Sequence, residues 1–153
     1  MLAGCTLLHR LDVTARGKEM ADDYSSVLAH EFSAGDGSFL LQLRTEMMWN
    51  KAAFTRLTEA MLACCWAHDA RERRAERVGV GADTTPLLRW LADGFWYVSW
   101  FVRDWTTHPA WAERTAPEQR YYDAAYERLF MLAAWFFDGD CPYTDPAQGF
   151  APM

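Results

Sequence analysis

The longest apolar pattern of the chain runs from Thr85 to Thr107. At about 100° per residue its apolar side chains cover most of a helix circumference, and such a helix is usually packed by neighbours on several sides. The apolar positions are Leu87, Leu88, Trp90, Leu91, Phe95, Tyr97, Val98, Phe101, Val102 and Trp105. Thr85 can cap the helix, Pro86 suits its first turn, and Pro109 ends it. The pattern predicts a central helix over residues 85–107.

Two helices are predicted before this one. Apolar residues at helical spacing indicate a short amphipathic helix over residues 19–32. The next begins near Asp36 or Ser38, either of which can act as N-cap, and contains neither Gly nor Pro through Arg77. It would reach about 60 Å at 1.5 Å per residue. Its packed part is therefore expected to end near Ala70, with the charged turns beyond it in solvent.

One more helix is predicted after the central one. Residues 109–114 are expected to form an ordered loop from which Trp111 enters the core. Thr115 and Glu118 form a capping-box pattern, with Thr115 as N-cap, and predict a helix to about Phe137. Its core stripe comprises Tyr122, Ala125, Leu129, Leu132, Ala133 and Phe136. The outer side of its second half carries Met131, Ala134 and Trp135, which are either covered by the tail or exposed as an apolar patch.

The pattern as a whole predicts an all-α fold, a single-domain bundle of about four helices around residues 85–107. The bundle spans residues 19–137, between an N-terminal extension of uncertain structure (1–18) and an irregular C-terminal tail (138–153). A chain of 153 residues suits one domain with a sizeable core.

The charged residues of the central helix fall within one sector of roughly 100°. That sector also contains two tryptophans, so its members are Arg89, Asp93, Trp96, Trp100, Arg103 and Asp104. Two interpretations stay open. Another segment, such as the C-terminal tail, covers the rings, or the rings form a recognition surface, because Trp and Arg are over-represented at binding hot spots.

A second polar cluster is predicted on the long helix that begins near Ser38. Glu46 and Asn50 lie one turn apart on its core-facing stripe, where a buried polar group without a partner costs about 1–3 kcal/mol. Either an arginine from another helix pairs with the carboxylate, or the two residues form a site for a small polar ligand.

Composition and charge argue against disorder, nucleic-acid binding and a membrane span. The chain is 51% hydrophobic and 15% aromatic, which argues against disorder. Its net charge of −6 gives no electrostatic footprint for nucleic acid. The charges on the central helix argue against a membrane span. Thirteen of the fifteen basic residues are arginine, since lysine occurs only at 18 and 51, and this bias suggests a bacterial or phage gene.

The four cysteines do not form a disulfide framework. Cys64 and Cys65 are adjacent on a predicted helix, while Cys5 and Cys141 lie in the two terminal segments. A core of this size needs no covalent crosslinks, so free thiols and a cytoplasmic location are expected. Cys64 and His68 have a spacing that could hold a metal, but zinc would need two more ligands, and we expect neither a metal nor another cofactor.

No catalytic motif stands out. The chain has four histidines without paired spacing and no nucleophile-elbow serine, so no catalytic residue is assigned. The sequence favours a small protein-binding module of the immunity, inhibitor or adaptor type, with a homo-oligomer as a further possibility. The alternative is a small-molecule-binding protein or enzyme that uses Glu46 and Asn50.

Overall fold

The structure, a computed structural model, describes residues 24–78 and 88–139. It consists of the helical residues 24–32 (α1), α2 (Phe39–Thr45), α3 (Lys51–Val78), α4 (Arg89–Thr106), α5 (Pro109–Thr115), a 3₁₀ turn (Ala116–Glu118) and α6 (Gln119–Asp138). The described segments contain no strand, which confirms the all-α prediction. The central helix begins at Arg89 and not at the predicted Thr85–Pro86 start, because the backbone of Leu88 is not helical (ψ 116°) and Leu88 is the N-cap. The predicted extension (1–18), Thr85 itself and the tail beyond Gly139 lie outside the described residues.

The core forms where α6 packs against both α3 and α4, while α4 also contacts α2. Phe95 of α4 and Phe136 of α6 stack with ring centroids 4.0 Å apart. The same core cluster contains fully buried side chains from α3 and α6, among them Leu57 and Leu132. Within the two described stretches, no helix combines the length and apolar character needed to cross a membrane.

The long second helix of the prediction is in fact two helices. Residues 46–50 separate α2 from α3, and Met47 adopts a left-handed φ of 48°. A tertiary contact favours this break. The indole of Trp49 packs against the core, and its N–H donates a hydrogen bond to Tyr121 Oη at 2.9 Å. Asn50 then caps α3, its Oδ1 accepting from the backbone N–H of Ala53 at 3.0 Å. The expectation that packing ends near Ala70 holds, since residues 70–74 are exposed.

The predicted loop over 109–114 is also wrong, because these residues form α5. Pro109 occupies its first position, and His108 caps it through Nδ1, which accepts from the N–H of Ala110 at 3.2 Å. The capping box is wrong as well, since Thr115 is the last residue of α5 and its hydroxyl donates to the Trp111 carbonyl. Trp111 itself is buried, as predicted.

Helix α6 ends as predicted, with Gly139 in the left-handed conformation after Asp138. Its predicted core stripe is buried along the whole helix. Trp135 was predicted on the outer side, but it is buried and packs edge-on against Trp66, with centroids 4.7 Å apart. Because α3 and α4 both flank α6, its buried sector is wider than one stripe and includes Trp135.

A buried carboxylate organises the turn between α1 and α2. Glu31 is buried, and its Oε2 accepts from the backbone N–H of Phe39 at 2.9 Å, which satisfies a donor in the first turn of α2. Burial raises the pKa of the Glu31 carboxyl, an effect opposed by these backbone hydrogen bonds and by the nearby charges of His30 and Arg56. The sequence pattern did not reveal this residue.

Candidate functional site

The face of α4 that points away from the bundle carries two tryptophans one turn apart. Trp96 is 66% exposed and Trp100 is 46% exposed. We call this face the aromatic stripe, and its members are Arg89, Asp93, Trp96, Trp100, Arg103 and Asp104, all of which are exposed. The six residues share an exposed face, as the helical projection predicted, and no described segment covers the tryptophans. A binding role for them stays a prediction.

The phase of α4 explains this exposure. Phe95, Val98 and Val102 lie on the opposite side of the helix and are fully buried in the core. Because these positions fix which side faces inward, Trp96 and Trp100 are directed to solvent.

Trp100 is supported by a row of aromatic rings. It packs edge-on against Tyr97, with centroids 5.6 Å apart. Tyr97 stacks on Phe101 at 4.6 Å, and Phe101 stacks on Trp105 at 5.6 Å. The indole N–H of Trp105 donates to the carbonyl of Leu43 on α2 at 3.0 Å. This row of rings connects Trp100 to α2 through Trp105.

The charges of the aromatic stripe differ in how they are paired. Arg89 and Asp93 form an ion pair at 3.5 Å, but both are largely exposed, so the pair contributes little stability. Arg103 and Asp104 form no ion pair with any residue of the described segments. One cationic and one anionic residue, neither paired within the described segments, therefore lie about one turn from Trp100 in the sequence of α4.

A groove runs along one side of the aromatic stripe, between α4 and the end of α1. Its volume is about 720 Å³. The residues that line it are Ala29, Phe32, Ser33, Ala34, Leu40, Arg44, Trp90, Asp93, Gly94 and Tyr97. Only Asp93 belongs to both the groove and the stripe. Sequence reasoning missed the groove, because it forms only when the ring of Phe32 packs on the backbone of Gly94.

Burial raises the pKa of the Tyr97 phenol in this groove, and the positive charge of Arg44 opposes part of that effect. The structure therefore brings a cation close to the row of aromatic rings. Neither residue was singled out in the sequence as part of a site.

The second predicted cluster, Glu46 with Asn50, does not face the core. Glu46 is exposed at the C-terminus of α2, and Asn50 caps α3. Because the chain breaks between them, they are not one turn apart on a single helix. The predicted placement of Glu46 and Asn50 on a core-facing stripe is therefore wrong. The alternative of a small-molecule site at these two residues depended on that placement and is no longer supported by it.

Cys64 and Cys65 are buried, as predicted, and neither forms a disulfide within the described residues; the Cys65 thiol donates to the carbonyl of Leu132. Burial raises the pKa of the Cys64 thiol to about 12, so the thiolate form that binds metals is disfavoured. His68 instead lies 3.6 Å from Glu72 on the same helix. In the described part of the chain, no three His, Cys, Asp or Glu side chains come together as metal binding would require.

No protein-family model matches the chain, and comparison with curated proteins and with solved structures finds no similar protein. The functional proposal therefore depends on geometry alone.

Proposed function

We propose that this chain is a small protein-binding module whose recognition surface is the aromatic stripe of α4. Immunity proteins, inhibitors and adaptors are the roles that such a module fills. The observation that carries the proposal is the 66% exposure of Trp96 on a helix whose opposite face is fully buried.

The chemistry of the stripe indicates what the partner would provide. Trp96 and Trp100 offer apolar area with an indole N–H at its edge, a combination that is enriched at binding hot spots. Arg103 and Asp104 would fix the orientation of the partner through charge complementarity. The fitting partner is therefore a protein with an apolar pocket that is flanked by one acidic and one basic side chain.

The proposal can be tested with matched aromatic substitutions. The wild-type chain, Trp96→Ala and Phe130→Ala would be used to capture proteins from an extract of the organism that expresses the chain. Phe130 is the control, because it is 68% exposed but lies on α6. Any protein that Trp96→Ala fails to retain would then be purified and titrated against all three chains.

We expect Trp96→Ala to weaken binding by about 2 kcal/mol, or roughly 30-fold, and Phe130→Ala to leave it unchanged. A second copy of the chain is one possible partner, and sedimentation at several concentrations would reveal it. The proposal fails if every captured protein binds Trp96→Ala as tightly as the wild type.

A further inference from the structure

The groove beside α4 has the dimensions and the lining of a small-molecule site. Its volume of about 720 Å³ falls within the range of roughly 300–1,000 Å³ that is typical of ligand pockets. Three aromatic rings, Phe32, Trp90 and Tyr97, contribute to its walls. Phe32 and Trp90 meet edge-to-face at 6.3 Å, so the groove offers ring faces and ring edges to an apolar ligand.

The two charged residues of the groove are not equivalent. Asp93 lies 3.5 Å from Arg89 in an exposed ion pair, so its carboxylate already has a cationic partner. Arg44 forms no ion pair within residues 24–78 and 88–139. The groove therefore combines an apolar lining with one positive charge that has no counter-ion there, and that combination favours an anionic ligand.

We propose that the groove binds an anionic amphiphile, a small molecule with an apolar body that ends in a carboxylate or sulfonate held by Arg44. The apolar body is either an aromatic ring system or a hydrocarbon chain, and the aromatic walls accept both. This site shares only Asp93 with the aromatic stripe, and it does not depend on the proposed function. Two experiments test it.

The first experiment uses the full chain and the fluorescent probe 8-anilinonaphthalene-1-sulfonate, which has an aromatic body and one sulfonate. We expect saturable binding with one probe per chain. 2-Naphthoate or dodecanoate should displace the probe, and the tighter competitor identifies a ring or a chain as the preferred body. Dodecyltrimethylammonium has the same chain with a cationic end and should not compete. Equal displacement by this cation, or absence of saturable binding, overturns the proposal.

The second experiment locates the probe with substitutions at exposed positions, which are expected to leave the fold intact. Arg44→Met should weaken binding of the probe about tenfold, because it removes the hydrogen bond from the guanidinium to the sulfonate, and the loss of a hydrogen bond to a charged group has an effect of this size. Ala29→Phe should fill the groove and weaken binding at least as much. Arg120→Met, an exposed arginine on α6, is the matched control and should bind as the wild type.

Trp96→Ala distinguishes the groove from the aromatic stripe. If the proposal is right, this variant binds the probe with wild-type affinity. If Trp96→Ala weakens binding while Ala29→Phe does not, the probe is bound on the stripe, and the proposed groove site is wrong. Circular dichroism of each variant confirms that the helical fold is retained.

Discussion

The ring of Phe32 packs so closely on Gly94 that a Cβ atom at position 94 would lie 2.0 Å from Cδ2 of the ring. Phe32 also packs edge-on against both Trp90 and Phe95, with centroids 6.3 Å and 6.0 Å away, and these contacts restrict its movement. This contact joins the end of α1 to the middle of α4 and forms part of the groove. A residue without a side chain is therefore required at position 94.

Replacing Gly94 with alanine tests this contact. The change gains about 1 kcal/mol of helix propensity, but overpacking costs typically 1–3 kcal/mol. Because Trp90 and Phe95 restrict the movement of Phe32, we expect the steric effect to dominate and urea denaturation to show a net destabilisation. In a Phe32→Ala background the same Gly94→Ala change should stabilise the protein. Stabilisation by Gly94→Ala in the wild-type background would contradict the close contact.

A second prediction concerns the buried carboxylate of Glu31. Its pKa is raised above the ordinary value of 4.5, chiefly by burial. Between the unfolded-state pKa, taken as the ordinary value of 4.5, and the raised folded-state pKa, the folded state therefore binds more protons than the unfolded state. In that window the Glu31 contribution to stability falls as the pH rises, and it becomes constant above the folded-state pKa.

Glu31→Gln keeps an oxygen acceptor for the Phe39 N–H and removes the titration. As the pH rises from the unfolded-state pKa to the folded-state pKa, the unfolding free energy of the wild type should therefore fall relative to that of Glu31→Gln. Glu31→Ala should cost about 1–3 kcal/mol below the window, because it leaves a buried N–H unpaired, and this cost should shrink as the pH rises through the window, because the variant also lacks the titrating carboxyl. Denaturation curves at several pH values measure both effects. A difference that does not vary with pH would contradict the assigned titration.

The helix break at residues 46–50 shows why part of the fold could not be predicted. Without Gly or Pro, the local sequence favours a continuous helix, whereas the break is supported by tertiary contacts of Trp49. Its indole donates to Tyr121, 72 positions away, and its ring packs against Phe39 and Tyr122. By contrast, the phase of α4 is a local property, so the projection that grouped Phe95 with the apolar positions also grouped Trp96 and Trp100 with the charged residues on another face. Whether that face is covered or exposed was left open by the sequence. The groove escaped prediction because it depends on the Phe32–Gly94 contact.

Asn50→Ala tests whether α3 really begins at this break. As the N-cap of α3, Asn50 should contribute about 1 kcal/mol, so its replacement by alanine should destabilise the protein by that amount. In a continuous helix the same change would be stabilising, because alanine has the higher helix propensity. Glu46→Gln is the companion variant and should change stability by less than about 0.5 kcal/mol, as for an exposed position. Thermal or urea unfolding of both variants distinguishes the two structures.

The last prediction compares two tryptophans whose environments differ most. Trp96 is 66% exposed, whereas Trp135 is buried and packs against Trp66. Trp135→Ala should lower the free energy of unfolding by about 3–5 kcal/mol, as for a core aromatic. Trp96→Ala should change it by less than about 0.5 kcal/mol, because an exposed ring makes few contacts in the folded state.

Iodide quenching of tryptophan fluorescence measures the same difference in exposure, and it uses Trp→Phe substitutions, which destabilise the fold less than Trp→Ala. Trp96→Phe should remove a component that iodide quenches readily, and Trp135→Phe should remove a protected one. If Trp96→Ala instead destabilises the chain as much as Trp135→Ala does, the ring is part of the core. The aromatic stripe would then be a packing surface, and the area proposed for partner recognition would already be used within the chain.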